Sequence, residues 1–301
     1  MREDGKIAKK AILETDMKTK LKNKRFLLPG AGVFLLVVLI LSAALLSRYP
    51  AGEVSDTGDG SKQQTEDNKQ QNADAPFPEN PYGEEDFGYD GDYLTCLAGE
   101  SILGVDVSQF QGQIDWQKVA SAGVKFAMIR VGGRGYGAAG GLYGDDLARA
   151  NYEGARAAGL KVGVYFFSQA VNREEAREEA DFVLEKIAGW QLDMPVVFDW
   201  EYMGETARTA NVDKRTLTDC ALAFCQGVES SGREAMCYFN PDHAENYLYL
   251  EELTDYRFWL AMYTDRMTYP YQIDMWQYTR EGTVPGITGL VDINLYFPYG
   301  A

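Results

Sequence analysis

From about Leu97 onward, short runs rich in β-branched and aromatic residues alternate with stretches of helical periodicity. This order constrains the fold more than any other feature. A strand that passes through a helix returns to its sheet in parallel, so the repeated unit predicts a mostly parallel α/β sheet. Strands are expected near residues 103–108, 126–131, 161–168, 194–201, 235–239, 256–262, 273–278 and 290–295, with helices near 115–122, 145–158, 173–188, 214–230 and 243–250. Asn172 reads as an N-cap followed by Glu174 and Glu175, and Gly159 and Gly189 stand where helices end. Eight such strands can close into a barrel, and about 200 residues is short for eight full repeats, so late helices should be missing.

The residues before this region read differently. The first 50 hold ten Lys and Arg against four Asp and Glu, although the whole chain has a net charge of −16. Residues 1–25 read as a basic cytoplasmic tail. Residues 26–46 carry no charge, and their length suits a bilayer core of about 30 Å. Basic residues precede the run, which predicts a cytoplasmic N-terminus and an outside body. The run exceeds the roughly 7–15 apolar residues of a cleaved signal peptide, so it reads as a single-pass transmembrane anchor. Residues 47–96 read as an acidic flexible linker, because between residues 56 and 74 only Ala73 is apolar. Phe77, Tyr82, Phe87 and Tyr89 offer possible docking points, but the disordered reading is preferred. The remaining domain is 97–301.

Composition removes several functions. An acidic body repels nucleic acid. His243 is the sole histidine and reads as a surface or capping residue, and the four cysteines form no CxxC pattern. No metal site built from Cys and His is therefore expected, nor a His-dependent triad, and no cofactor is implied. Cys220 and Cys225 read as buried thiols. The Gly132–Gly137 loop lacks the spacing of a dinucleotide fingerprint.

The chemistry lies in Val196-Val-Phe-Asp-Trp-Glu201. Side chains alternate along a strand, so Asp199 and Glu201 share one face and Phe198 and Trp200 the other. Two acids at a strand end are costly unless solvated, partnered or used. They also supply what glycosidic hydrolysis needs, a proton donor and a group that stabilises positive charge. In barrels of this kind, reactive groups gather at the C-terminal ends of the strands. That rule adds Asp106, in Gly-Val-Asp-Val-Ser, and Asp292 with Asn294, in Leu-Val-Asp-Ile-Asn-Leu. The first and last strands are neighbours in a closed barrel, which would bring Asp106 and Asp292 to the Asp199/Glu201 pair. Close like charges raise at least one pKa, as a proton donor requires. Tyr165, Trp259, Tyr263, Trp276 and Gln277 fall near the same mouth and are the candidate substrate-binding residues, together with Asn294.

The chain from about Ile102 to Phe297 resembles a family 25 glycoside hydrolase, a lysozyme of the N-acetylmuramidase type. The matching pieces are Gly104-Val-Asp-Val-Ser-Gln, Phe126-Ala-Met-Ile-Arg, Ala158-Gly-Leu-Lys-Val-Gly-Val-Tyr-Phe-Phe-Ser, Pro195-Val-Val-Phe-Asp-Trp-Glu, Phe258-Trp-Leu-Ala-Met-Tyr, Met275-Trp-Gln-Tyr and Val291-Asp-Ile-Asn. Phe166 stands where many relatives have His. The resemblance implies a flattened, TIM-like barrel of (β/α)5β3 type and a peptidoglycan hydrolase that cuts the β-1,4 bond after N-acetylmuramic acid. It implies Glu201 as general acid, with Asp199 stabilising the transition state or orienting the substrate's acetamido group. Asp106 and Asp292 would tune that pair. The expected partner is a peptidoglycan strand, the domain a monomer, and the location a bacterial cell membrane facing the wall. A chitinase-like N-acetylhexosaminidase and a non-catalytic glycan-binding surface protein remain open on the residues alone.

Overall fold

The computed structural model describes residues 77–299. The expected tail, membrane span and most of the expected linker lie outside those residues. Among the described residues, no helix is long and apolar enough to cross a membrane.

An antiparallel hairpin opens the described chain, with β1 at Phe87–Asp90 and β2 at Tyr93–Cys96. The barrel strands follow: β3 (Ile102–Val107), β4 (Phe126–Arg134), β5 (Leu142–Gly144), β6 (Lys161–Ser168), β7 (Val196–Trp200), β8 (Ala235–Phe239), β9 (Arg257–Ala261), β10 (Met275–Gly282) and β11 (Val291–Tyr296). From β3 and β4 through β6 to β10, every neighbouring pair in the ring is parallel. β11 then runs antiparallel to both β10 and β3 and closes the ring. The short β5 pairs with the end of β4 outside the closed circuit.

Helices α1 (Trp116–Ser121), α2 (Ala148–Ala157), α3 (Arg173–Lys186), α4 (Lys214–Ser230) and α5 (Pro241–Asn246) follow β3, β4 with β5, β6, β7 and β8 in turn. No helix follows β9 or β10. The pattern is therefore five β/α units and three bare strands, as the short length predicted. The expected caps are present. Asn172 Oδ1 accepts the Glu175 N–H at 2.9 Å, and Gly159 and Gly189 take positive φ after their helices.

Alternation along the strands sorts the apolar residues into two cores. Outward-facing Val105, Ile129, Val164, Phe166, Val196 and Phe198 pack against the helices. Phe166, the residue that departs from the family pattern, stacks on Phe224 and meets Phe182 edge-on, away from the barrel interior. Inward-facing Phe126, Met128, Val197, Met236, Trp259 and Met275, joined by Met194, make a second apolar cluster inside the ring. Glycine at position 104 permits this filling. A Cβ there would fall 2.2 Å from the Phe126 ring.

The reading of 47–96 as one flexible linker is corrected for its last twenty residues. Phe87, Leu94 and Cys96 are buried, and Phe87 meets Trp276 edge-on at 5.1 Å. Phe77 packs against Tyr271 at 4.4 Å, and Glu79 forms a bridge to Tyr271. Scattered aromatics in a polar sequence were enough to dock here, because each reaches a preformed apolar surface of the barrel. Phe87→Ala is expected to cost about 3 kcal/mol, the usual loss for a truncated buried Phe. A thermal unfolding midpoint unchanged by the substitution would show that the hairpin contributes nothing to stability.

Candidate active site

Above the inner apolar cluster, the same inward-facing positions turn polar one step further along each strand. β3 places Asp106, β4 Arg130, β7 Asp199, β8 Tyr238, β10 Gln277, and β11 Asp292 and Asn294. Asp106 and Asp292 are direct register partners across the closing antiparallel pair. Their Cα atoms are therefore about 4.5–5.5 Å apart. Asp199 lies opposite Phe167 on one side and Tyr238 on the other. Glu201 follows immediately after β7, on the face Asp199 takes. All four sequence-predicted acids thus reach one end of the barrel.

Their surroundings differ. Asp106 is buried, and its Oδ2 accepts hydrogen bonds from Gln277 Nε2 and Asn294 Nδ2, each at 2.8 Å. Burial pushes its carboxyl up to about 6, against the lowering effect of those two amides. Asp199 is also buried, and its Oδ1 has no hydrogen-bond partner. Burial, then the negative charges of Glu201 and Asp106, hold Asp199 well above the usual carboxylate range. Asp292 is raised well above that range by burial, then by Asp106 and Glu201. Glu201 is half-buried, and burial followed by the Asp106 charge pushes it up to about 6. Four carboxyls this close do not all ionise together. Asp106, with two amide donors, carries negative charge more readily than Asp199 or Asp292, and when charged it raises Glu201.

The candidate binding residues divide into three groups. Gln277, Asn294 and Tyr263 belong to the site. The Tyr263 hydroxyl donates to Gln277 Oε1 at 3.0 Å, and the residue is 48% exposed. Tyr165 faces inward, half-buried, edge-on to Trp259. Trp259 and Trp276 require correction. Trp259 is 1% exposed within the inner apolar cluster, and its Nε1 donates to Asn294 Oδ1 at 2.8 Å. It orients Asn294 from below and presents no face to a ligand. Trp276 faces outward from β10, fully buried against Phe87 and Tyr278, and its Nε1 bonds the Met262 carbonyl. Strand alternation already separated Trp276 from Gln277, and Gln277 holds the inward position.

Three further residues belong to the site. Arg130 lies two positions after inward-facing Met128, so its direction was readable from alternation. Its guanidinium pairs with Asp145 at 2.9 Å and lies over the Phe110 ring. Tyr238 stands two after Met236 and donates to Gln277 Oε1 at 3.1 Å. Gln169 gave no sequence signal. It is fully buried, and its Nε2 donates to the Glu201 carbonyl at 2.9 Å while Thr209 Oγ1 donates to its Oε1. It fixes the backbone that carries Glu201. His243 is neither on the surface nor the capping residue: it is buried, and Asn240 caps the helix by accepting the His243 backbone N–H. Its ring packs against Trp200, outside the acid site, and burial lowers its pKa to about 4. The four cysteines are free and buried, and Cys225 and Cys237 Sγ lie 3.6 Å apart.

A buried acid cluster at the C-terminal ends of parallel barrel strands, its carboxyls all raised above their ordinary range, suits acid-catalysed cleavage of a glycosidic bond. Over 104 residues, a third of each chain, the sequence is 36% identical to Lysozyme M1 of Streptomyces globisporus. The bacterial lysozyme of Streptomyces coelicolor has a structure that aligns with a TM-score of 0.56 at 26% identity, over 65% of this chain and 92% of that one. The modular autolysin LytC of Streptococcus pneumoniae aligns with a TM-score of 0.60 at 22% identity, over 70% of this chain and 52% of that one, and has also been solved with a synthetic peptidoglycan ligand. The model of the glycosyl hydrolases family 25 matches residues 105–287, from the strand that carries Asp106 almost to the strand that carries Asp292, and the chain belongs to that family.

Proposed function

We propose that this protein is a muramidase that hydrolyses the β-1,4 bond between N-acetylmuramic acid and N-acetylglucosamine in peptidoglycan. The observation that carries this reading is the division of labour among the acids. Glu201, half-buried and raised to about 6, donates a proton to the leaving oxygen. Asp199 interacts electrostatically with the donor and has a buried oxygen with no partner in the protein. It orients the acetamido group of the sugar, or balances the positive charge that develops on the ring. Asp106, held by Gln277 and Asn294, sustains the field that keeps Glu201 protonated. An orienting Asp199 implies participation of the substrate's own acetamido group and a retained anomer. An inverted product anomer by NMR would exclude that route.

Mass spectrometry of fragments released from purified peptidoglycan tests the bond assignment. Muramic acid at the new reducing end is the expected result. N-acetylglucosamine at that end, or hydrolysis of chitin in preference to peptidoglycan, would overturn it.

The donor's titration sets a second expectation. A general acid must hold its proton, so kcat/KM should fall as pH rises through about 6. Stability follows the same sense. The folded pKa of Glu201 lies above its ordinary value of 4.5. Its contribution is therefore fully present below that value and is lost as pH rises through about 6. The change in thermal midpoint between pH 5 and pH 8 should differ between the parent and Glu201→Gln, and an identical change in both would contradict it.

We also propose that residues 26–46 anchor the protein in the membrane, with the hydrolase domain outside and facing the wall. The uncharged run behind a basic tail supports this. Release of the full chain from membranes by alkaline carbonate would refute it.

A further inference from the structure

Two cations exert a field on the acid cluster, Arg130 and Arg280. They are differently placed. Arg130 is buried and neutralised by Asp145. Arg280 has no carboxylate within ion-pair distance among the described residues, although it sits half-buried in a strongly acidic protein. Its guanidinium lies over the ring of Tyr263, 5.1 Å from the centroid. Tyr263 is exposed at the mouth and is tied through Gln277 to Asp106.

The backbone supplies the reason for this position. β10 pairs regularly with β9 up to Gln277, but its register against β11 slips between Gln277 and Thr279 and again between Thr279 and Gly282. Irregularities of this kind beside a site re-aim the side chains that follow. Here they follow the alternation of Trp276 and Tyr278 outward with Gln277 inward, and they bring Arg280 over the rim aromatic. A stacked guanidinium keeps its planar edge of N–H donors free, in a geometry that matches a carboxylate with two parallel hydrogen bonds. Hydroxyls and acetamido groups, the other polar features of such a glycan, do not require a cation. The lactyl arm on O3 of a muramyl residue is where this substrate carries anions, and a chitin strand has no equivalent.

We propose that Arg280 is a carboxylate receptor at the mouth of the site, binding an anion carried on the lactyl arm of the muramyl residue and thereby selecting peptidoglycan over uncharged N-acetylated glycans. The inference rests on the muramidase reading and names the group that sets its specificity. Two sources share this chemistry. Peptide-free strands carry the lactyl carboxylate itself, whereas in stem-bearing strands that carboxyl is an amide and the peptide supplies the carboxylates.

The test compares the full chain with its Arg280→Gln and Arg280→Lys variants on four soluble substrates. These are peptide-free strands, stem-bearing strands, and each of the two after carbodiimide amidation of its carboxylates. On the strand type that supplies the anion, Arg280→Gln should raise KM about 10- to 50-fold, the range for losing a charge-assisted pair. Amidation should cost the parent protein a similar factor. The two losses should not multiply, because each removes one half of the same contact. Arg280→Lys should recover part of the loss. The strand type on which the coupling appears identifies the source. Losses that multiply on both strand types would overturn the proposal. So would an equal loss on all four substrates accompanied by a shifted pH profile, since Arg280 would then act only through the acids. Failure of the parent protein to release any muramyl-ended fragment would sink the muramidase reading and this inference together. Hydrolysis without coupling would sink this inference alone.

Discussion

Glu201→Gln should lower peptidoglycan hydrolysis by about three orders of magnitude, within the range for removal of a positioned general acid. Glutamine has the same shape and can keep the contacts of the neutral carboxyl, but it has no proton to give the leaving oxygen. The loss should fall on kcat, with KM little changed, since the interaction matters most in the transition state. Folding should not suffer. Burial and Asp106 already disfavour the charged form of Glu201, so a neutral replacement removes an unfavourable ionisation at neutral pH. The variant's thermal midpoint at pH 8 should equal or exceed that of the parent. Wild-type turnover by this variant would remove Glu201 from the role of donor. Retained binding of glycan strands by the silent variant would show that recognition and chemistry reside in separable groups.

Much of this site was legible before any coordinates, for one physical reason. A strand's period of two converts spacing into direction, so Asp199 with Glu201, and Asp292 with Asn294, could be placed on common faces from sequence. Closure of the ring then made the first and last strands neighbours, and Asp106 does pair with Asp292. The same rule, carried through every strand, would have found Arg130 and Tyr238 and removed Trp276. Trp259 shows what alternation leaves out. It faces inward as expected, but at a depth where Phe126 and the methionines exclude ligand. Depth along the barrel axis depends on strand stagger, which a single sequence does not give. Gln169 was invisible for another reason. Its hydrogen bonds to Glu201 and Thr209 cross loops far apart in sequence, and no local pattern marks such a residue. The docked segment 77–96 was misread because its polar composition resembles disorder, while the few aromatics that decide the matter count little in composition.

Arg134→Ala should destabilise the protein by about 3–5 kcal/mol at neutral pH, as when one partner of a buried ion pair is removed. The Arg134 guanidinium donates to Glu179 Oε1 at 2.8 Å, Glu178 Oε2 at 2.6 Å and the Gly140 carbonyl at 2.8 Å. Glu179 is fully buried, and without Arg134 its charge would be left with only Ser168 and the Gln169 N–H. Burial already raises Glu179 to about 7 despite the arginine. Its folded pKa exceeds its ordinary value of 4.5, so protonation favours the folded state and the penalty eases as pH falls. The gap between variant and parent should therefore narrow between pH 8 and pH 5. Denaturant unfolding at the two values measures it. A gap that widens in acid would show that Glu179 is not the group left exposed to the loss. Because Gln169 bonds both Glu179 and Glu201, activity should decline before the variant unfolds.

The pairing of Asp106 with Asp292 couples closure of the fold to assembly of the site. These two acids come from opposite ends of the domain sequence, and the strand that delivers the second also seals the ring. A growing chain that has made every residue up to the end of β10 lacks Asp292 and Asn294, and with them one of the two amides that hold Asp106. Closure of the ring and completion of the four-acid cluster are therefore the work of one strand, β11.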